Sequence, residues 1–208
     1  MEDVKPPASR ARSTLRAERA QATRRRIAAA ARRLFARDGY AATTLRDVAT
    51  EAGVAVQTVY AVYGSKAGIM HALRDLATDQ PEAGAAFAQA MQQQTAGESL
   101  ALFARSIRLR WELAGDIVTI LGDAATADPA IHEEVEVALR TRRAGIARFV
   151  TAIHDRFGLA IDPERGTAIT LALTMPELHA ELVGVNGWTE DAYEAWLAAA
   201  IRRELVDT

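Results

Sequence analysis

Between Ile27 and Val62 apolar residues recur at helical spacing in three short runs, and glycine closes the first two. Ile27, Ala30, Ala31, Leu34 and Phe35 fall at i, i+3, i+4, i+7 and i+8, one face of a helix. Gly39 follows as a stop, because a left-handed residue at a helix end costs glycine little. Thr44 opens a second helix: its hydroxyl can accept from the free backbone donors of the first turn, and Asp47 three residues later completes a variant capping box. Leu45, Val48, Ala49 and Ala52 form the buried face of this helix and Gly53 closes it. After a very short turn a third helix begins, with Val59 and Val62 facing inward. Three short helices with a tight glycine turn between the second and third predict a helix-turn-helix domain.

The rest of the 208-residue chain carries no strand pattern, tandem repeat or catalytic glycine loop. Ser65 caps a fourth helix to about Asp79. Pro81 breaks the chain before a modest Ala/Gln-rich helix, and a long periodic stretch follows from about Glu98 to Ala125, with a bend expected at Gly115. Asp128-Pro129 and Asp162-Pro163 are N-cap and first-turn pairs that start further helices, Pro176 splits one, and Thr189 opens the last. The fold class expected is therefore all-α: an N-terminal three-helix helix-turn-helix domain plus a larger C-terminal helical domain, about nine helices in all. The boundaries expected are a flexible basic arm over 1–22, merging into the first helix after Ser13, a helix-turn-helix domain over 23–68, and a second helical domain over 69–208, to which the resemblance described below assigns effector binding and dimerisation.

Charge sorts the two halves. Residues 1–66 hold 13 Lys/Arg against 6 Asp/Glu, a net of +7, while the remainder holds 12 against 21, a net of -9. A basic head on an acidic body suits a head that meets a polyanion. With no cysteine, disulfides and thiolate metal sites are excluded and a reducing cytoplasm is the expected setting. The longest apolar run is the seven residues Ala195–Ile201, far short of the roughly 18 needed to span a membrane, so no membrane partner is expected. Four scattered histidines offer only His132 with Glu136 at i,i+4, with no third ligand, so neither a metal, a cofactor nor an enzyme is expected.

The stretch Arg26-Ile27…Leu34-Phe35…Asp38-Gly39-Tyr40…Thr43-Thr44-Leu45-Arg46-Asp47-Val48-Ala49…Ala52-Gly53-Val54-Ala55…Thr58-Val59-Tyr60…Tyr63-Gly64-Ser65-Lys66 resembles the DNA-binding domain of the TetR family of regulators over about 45 residues in one register. The C-terminal run from Leu173 to Leu197 resembles the dimerisation region of many members. The resemblance implies a homodimer that reads a palindromic operator in double-stranded DNA, with recognition helices about 34–36 Å apart. It also implies repression as the mode, released by a small, mostly apolar effector. The outward residues of the probing helix are Ala55, Val56, Gln57, Thr58, Tyr60 and Ala61. Gln57 is its one long polar reader, suited to adenine, with Ala55, Val56 and the Thr58 methyl beside thymine methyls; a solvated Gln57 is the plain alternative. The resemblance assigns phosphate contacts to Thr44, Tyr60, Tyr63 and Lys66, and Arg46 and Arg25 add positive charge. Ala55 stands where relatives carry a capping Ser or Thr, and Val56 where a basic residue is common.

For the second domain, the residues expected to line an effector cavity are Phe87, Met91, Phe103, Ile107, Trp111 and Met175, with Arg108, His154 and Glu177 as polar contacts. Those expected at the dimer interface are Leu171, Leu178, Leu182, Trp188, Tyr193, Trp196 and Leu197. Intramolecular packing is the competing reading for every residue in both sets. A second functional reading keeps the fold and makes the chain a DNA-bound adaptor that recruits a protein partner without an effector.

Overall fold

The computed structural model describes residues 8–207, with side chains from Thr14 onward. Its helices are α1 (Ala8–Asp38), α2 (Leu45–Ala52), α3 (Val56–Tyr63), α4 (Lys66–Thr78), α5 (Pro81–Ala90), α6 (Ala96–Ala127), α7 (Pro129–Phe157), α8 (Pro163–Leu173), α9 (Pro176–His179) and α10 (Glu190–Leu205). A π-helical turn, Ala180–Val185, continues α9. The fold is all-α, and nine of these helices have eight residues or more. They fall into two compact units that part at Leu73/Arg74, inside α4.

The first unit is built on the α1 face read from the sequence: Ile27, Ala30 and Ala31 are fully buried, and Leu34 and Phe35 nearly so, against Val48, Ala49, Ala52 and Val59. Gly39 and Gly53 adopt positive φ, as a helix stop requires. The expected arm is helical from Ala8, while its first seven residues lie outside the described residues. Between Ala8 and Asp38 the sequence has neither glycine nor proline and is rich in Ala, Arg, Gln and Glu, so nothing stops the helix from propagating back from its buried half.

Thr44 caps α2 as expected. Its hydroxyl accepts from the Asp47 N–H at 3.2 Å, while Asp47 Oδ2 accepts from the Thr44 N–H at 2.9 Å and its hydroxyl at 2.6 Å. The hydroxyl donor first, then the backbone donor, hold the Asp47 carboxyl below its ordinary range. A depressed carboxylate pKa stabilises fully above the unfolded value and ceases to do so as pH falls through the folded one. Thr44→Ala is therefore expected to cost about 1 kcal/mol of stability at neutral pH. Chemical denaturation should show that difference narrowing as the pH is lowered through and below the carboxylate range.

In the second unit α6 and α7 pair along their lengths and α5, α8 and α10 pack onto them. Phe103 and Phe149 stack with centroids 4.4 Å apart and Phe87 closes the cluster edgewise. α6 runs unbroken through Gly115. A glycine costs a helix interior only about 1 kcal/mol, and Trp111, Ala114 and Ile117, all buried, hold this one in place. Pro176 does split its segment: α8 and the Pro176–Val185 stretch meet at 44°. No single helix among the described residues is long and apolar enough to cross a membrane.

Candidate nucleic-acid interface

α3 is held from behind by one fully buried side chain, Val59, with Val62 and Tyr63 half-buried beside it. Ala55, Gln57, Tyr60 and Ala61 are exposed, and Val56 and Thr58 are half-buried. Tyr60 is 55% exposed, too much for a packing residue, so its ring and hydroxyl are available to a partner. Ala55 gives α3 no side-chain cap, which leaves backbone donors of its first turn facing outward. Around this face Arg25 and Arg46 are exposed. Surface arginines beside an uncharged probing helix are an arrangement in which cations hold phosphates while short side chains meet base edges.

Three of the expected phosphate contacts are otherwise engaged. Lys66 Nζ donates to the carbonyls of Tyr40 at 2.6 Å, Thr43 at 3.1 Å and Ala41 at 3.3 Å, and lies 4.2 Å from the Tyr40 ring centroid. An ammonium has three donors, and here all three are directed at the α1–α2 loop, which this lysine ties together. Tyr63 donates its hydroxyl to the Arg24 carbonyl at 2.9 Å beneath the Arg24 guanidinium, and burial pushes its pKa up. Its proton is likewise spent within the fold. The Thr44 hydroxyl proton goes to Asp47, leaving the exposed backbone end of α2 as the feature that can face a phosphate.

The sequence reading missed a groove between the first half of α1 and α3, about 760 Å³ and open to solvent. Arg16, Arg19 and Arg24 line it together with Thr58, Ala61 and Val62. The signal was present in the unbroken helix-forming run before Arg24, since helical rather than coiled backbone places Arg16 and Arg19 beside the recognition helix.

Residues 27–73 match the family model described as bacterial regulatory proteins, tetR family. The N-terminal unit belongs to the TetR family. No curated protein matches the chain. Solved TetR-type structures resemble it over most of its length. SmeT, solved with triclosan, has 20% identity and a TM-score of 0.67 over 89% of this chain and 92% of that one. PfmR of Thermus thermophilus, a TetR family transcriptional regulator, has 20% identity and 0.64 over 86% and 96%. FadR of Bacillus subtilis, solved with stearoyl-CoA, has 14% identity and 0.61 over 86% and 95%. At these identities the likeness is one of fold. The family match therefore covers the helix-turn-helix segment, and the likeness over the rest of the chain is to the fold of these regulators.

In the second unit, Phe87, Met91, Phe103, Ile107 and Trp111 belong to one apolar cluster, with Phe103, Ile107 and Trp111 buried in it. Met175 stands apart at 42% exposure, at the N-cap of α9. Of the polar candidates, Arg108 is paired with Glu194 at 3.0 Å and Glu112 at 2.6 Å, and Glu177 is exposed. His154 Nδ1 is buried without a hydrogen-bond partner. Two of the expected interface residues are corrected: Tyr193 and Leu197 have no exposed surface, because α10 turns their face, shared with Ala200 and Ile201, onto α6 and α8. A residue already buried in one protomer adds no area to an interface. Leu171, Leu178, Leu182 and Trp196 are half-buried and Trp188 is 37% exposed, with the two indoles edge-to-face at 6.1 Å.

Proposed function

We propose that the chain is a homodimeric repressor in the cytoplasm that reads a palindromic operator through α3 and releases it when a small, mostly apolar molecule occupies the second unit. The observation that carries the first half is the outward face of α3, where Gln57 and Tyr60 are the exposed long side chains among short neutral ones. Gln57 pairs with adenine through its amide, and Ala55, Val56 and Thr58 supply contacts to thymine methyls, so A·T pairs lie under the helix. Arg25, Arg46 and the groove arginines Arg16 and Arg19 set the register on the backbone. A single eight-residue helix reads too few bases, and two copies about one DNA turn apart supply the rest. Leu171, Leu178, Leu182, Trp188 and Trp196 are the apolar surface left for the second copy. Support for an effector comes from the fold: triclosan and stearoyl-CoA are the ligands in two neighbours. An effector acts by binding more tightly to the form whose recognition helices are wrongly spaced for DNA, and α4, which runs from one unit into the other, is the connection available.

Selection of bound sequences from random duplex DNA, followed by affinities for the winner and a scrambled duplex at two salt concentrations, tests this reading. A palindrome bound about a thousandfold tighter than scrambled DNA is expected. Gln57→Ala is expected to cost about 1–3 kcal/mol on the winner and to relax preference at one A·T position per half-site. Uniform binding that falls steeply with salt would mean a basic head without base readout, and would move the chain to the adaptor role.

A further inference from the structure

Where α6, α7, α8 and α10 converge, the second unit contains two arginines that form no ion pair among the described residues. Arg142, on α7, directs Nη2 to the carbonyl and hydroxyl of Thr174, each at 2.8 Å, and to the Leu171 carbonyl at 3.3 Å. Its Nη1 reaches only the Met175 sulfur at 4.0 Å. Arg110, half-buried on α6, makes neither a hydrogen bond nor an ion pair among the described residues. Burial holds both guanidiniums below their ordinary range; at Arg142 the charge of Glu177 works against this and the charge of Arg110 adds to it. The Tyr193 hydroxyl, fully buried on α10 and near enough to feel the Arg142 charge, has no partner either. Arg108, two residues away, marks the contrast, since it is held by two carboxylates. Buried cations are ordinarily paired, and two together without an anion are costly.

We propose that Arg110, Arg142 and the Tyr193 hydroxyl form the headgroup site for an amphipathic organic anion, whose apolar body lies against Trp111 and the aromatic cluster of α5, α6 and α7. The guanidiniums supply charge-assisted hydrogen bonds to the oxyanion and the phenol a third donor. Trp111, with its indole N–H on Thr174 O at 3.2 Å and its ring 6.0 Å from the Arg142 guanidinium, forms the floor. Met175, 42% exposed at the break between α8 and α9, borders the cluster through its sulfur, 4.0 Å from Arg142 Nη1. This deepens the effector reading and rests on it. Arg142 shares α7 with Glu134, which is ion-paired to Arg74 on α4, so movement of α7 around a bound anion is passed to α4.

The test uses the full chain with decanoate, decyl phosphate and decanamide, and naphthylacetate with its amide, followed by tryptophan fluorescence and calorimetry. At least one anion is expected to bind tenfold or more tightly than its amide, with carboxylate against phosphate deciding which headgroup fits. Arg110→Gln is expected to remove that preference; Arg110 makes no bond that the fold requires, whereas Arg142 also ties the end of α8. In the ligand-free protein Arg110→Met is expected to raise the thermal midpoint, because it relieves an unpaired buried charge. Amides that bind as well as the anions, unchanged anion affinity in Arg110→Gln, no binding by any of the five compounds, or a lowered midpoint in Arg110→Met would each overturn the proposal. Operator binding measured in parallel separates the two readings. An anion bound through Arg110 that leaves the operator complex intact keeps the site and removes the effector role. A neutral compound that releases the operator keeps the effector role and removes the site.

Discussion

Gly68→Ala is expected to cost more than about 3 kcal/mol and to abolish operator binding. The backbone of Gly68 lies so close to the end of the recognition helix that a Cβ there would collide with the Tyr63 carbonyl oxygen and stand 3.1 Å from its carbon. The obstruction is backbone, so no rotamer change relieves it; either α4 loses its first turn or α3 moves. Its φ is ordinary, and the constraint is one of space alone. Gly53→Ala provides the contrast. That site is open, its φ is +62°, and the expected cost is the left-handed penalty of about 1–2 kcal/mol. Denaturant unfolding of both variants, with operator titration, checks the pair. Wild-type stability in Gly68→Ala would mean that the α3–α4 junction does not pack this closely in solution.

The second large effect is at Lys66. Lys66→Met removes the one cation bound to three carbonyls of the α1–α2 loop and is expected to cost about 2–3 kcal/mol, since hydrogen bonds to a charged group carry roughly twice the ordinary weight. Its effect on DNA is expected to come through the fold. Under conditions where the variant is fully folded, the slope of log affinity against log salt should match the parent. A phosphate-binding lysine gives the reverse pattern, with unchanged stability and a slope shallower by about 1 per head. Measuring stability and salt slope on the same variant therefore decides between the role read from the sequence and the role seen in the structure.

Much of the fold was legible because helix ends are specified locally. Thr44, Asp128, Asp162 and Thr189 each accept a first-turn backbone N–H as their positions in the sequence imply. The buried face of α1 followed from spacing alone. What was not legible depends on partners distant in sequence. Lys66 takes its acceptors from 23 to 26 residues upstream, and Tyr63 its own from 39 upstream. Apolar spacing could place Tyr193 and Leu197 on one face of α10 but not say whether that face meets α6 or a second copy. Arg110 and Arg142 passed unnoticed because charged residues on long helices are ordinarily solvated; only the packing of α6, α7 and α8 around them makes them unusual.

The length of α1 has a calorimetric consequence. Thr14 to Ala22 is exposed along its whole extent, so no packing holds this stretch helical. Its nucleus is supplied by the buried turns from Ile27 onward, and it therefore forms by propagation alone, without the cost of starting a helix. Such a segment melts by fraying inward, residue by residue. Far-ultraviolet ellipticity should decline with temperature well below the main transition, with no matching heat peak, and the van't Hoff enthalpy from that signal should fall short of the calorimetric one although both compact units unfold cooperatively.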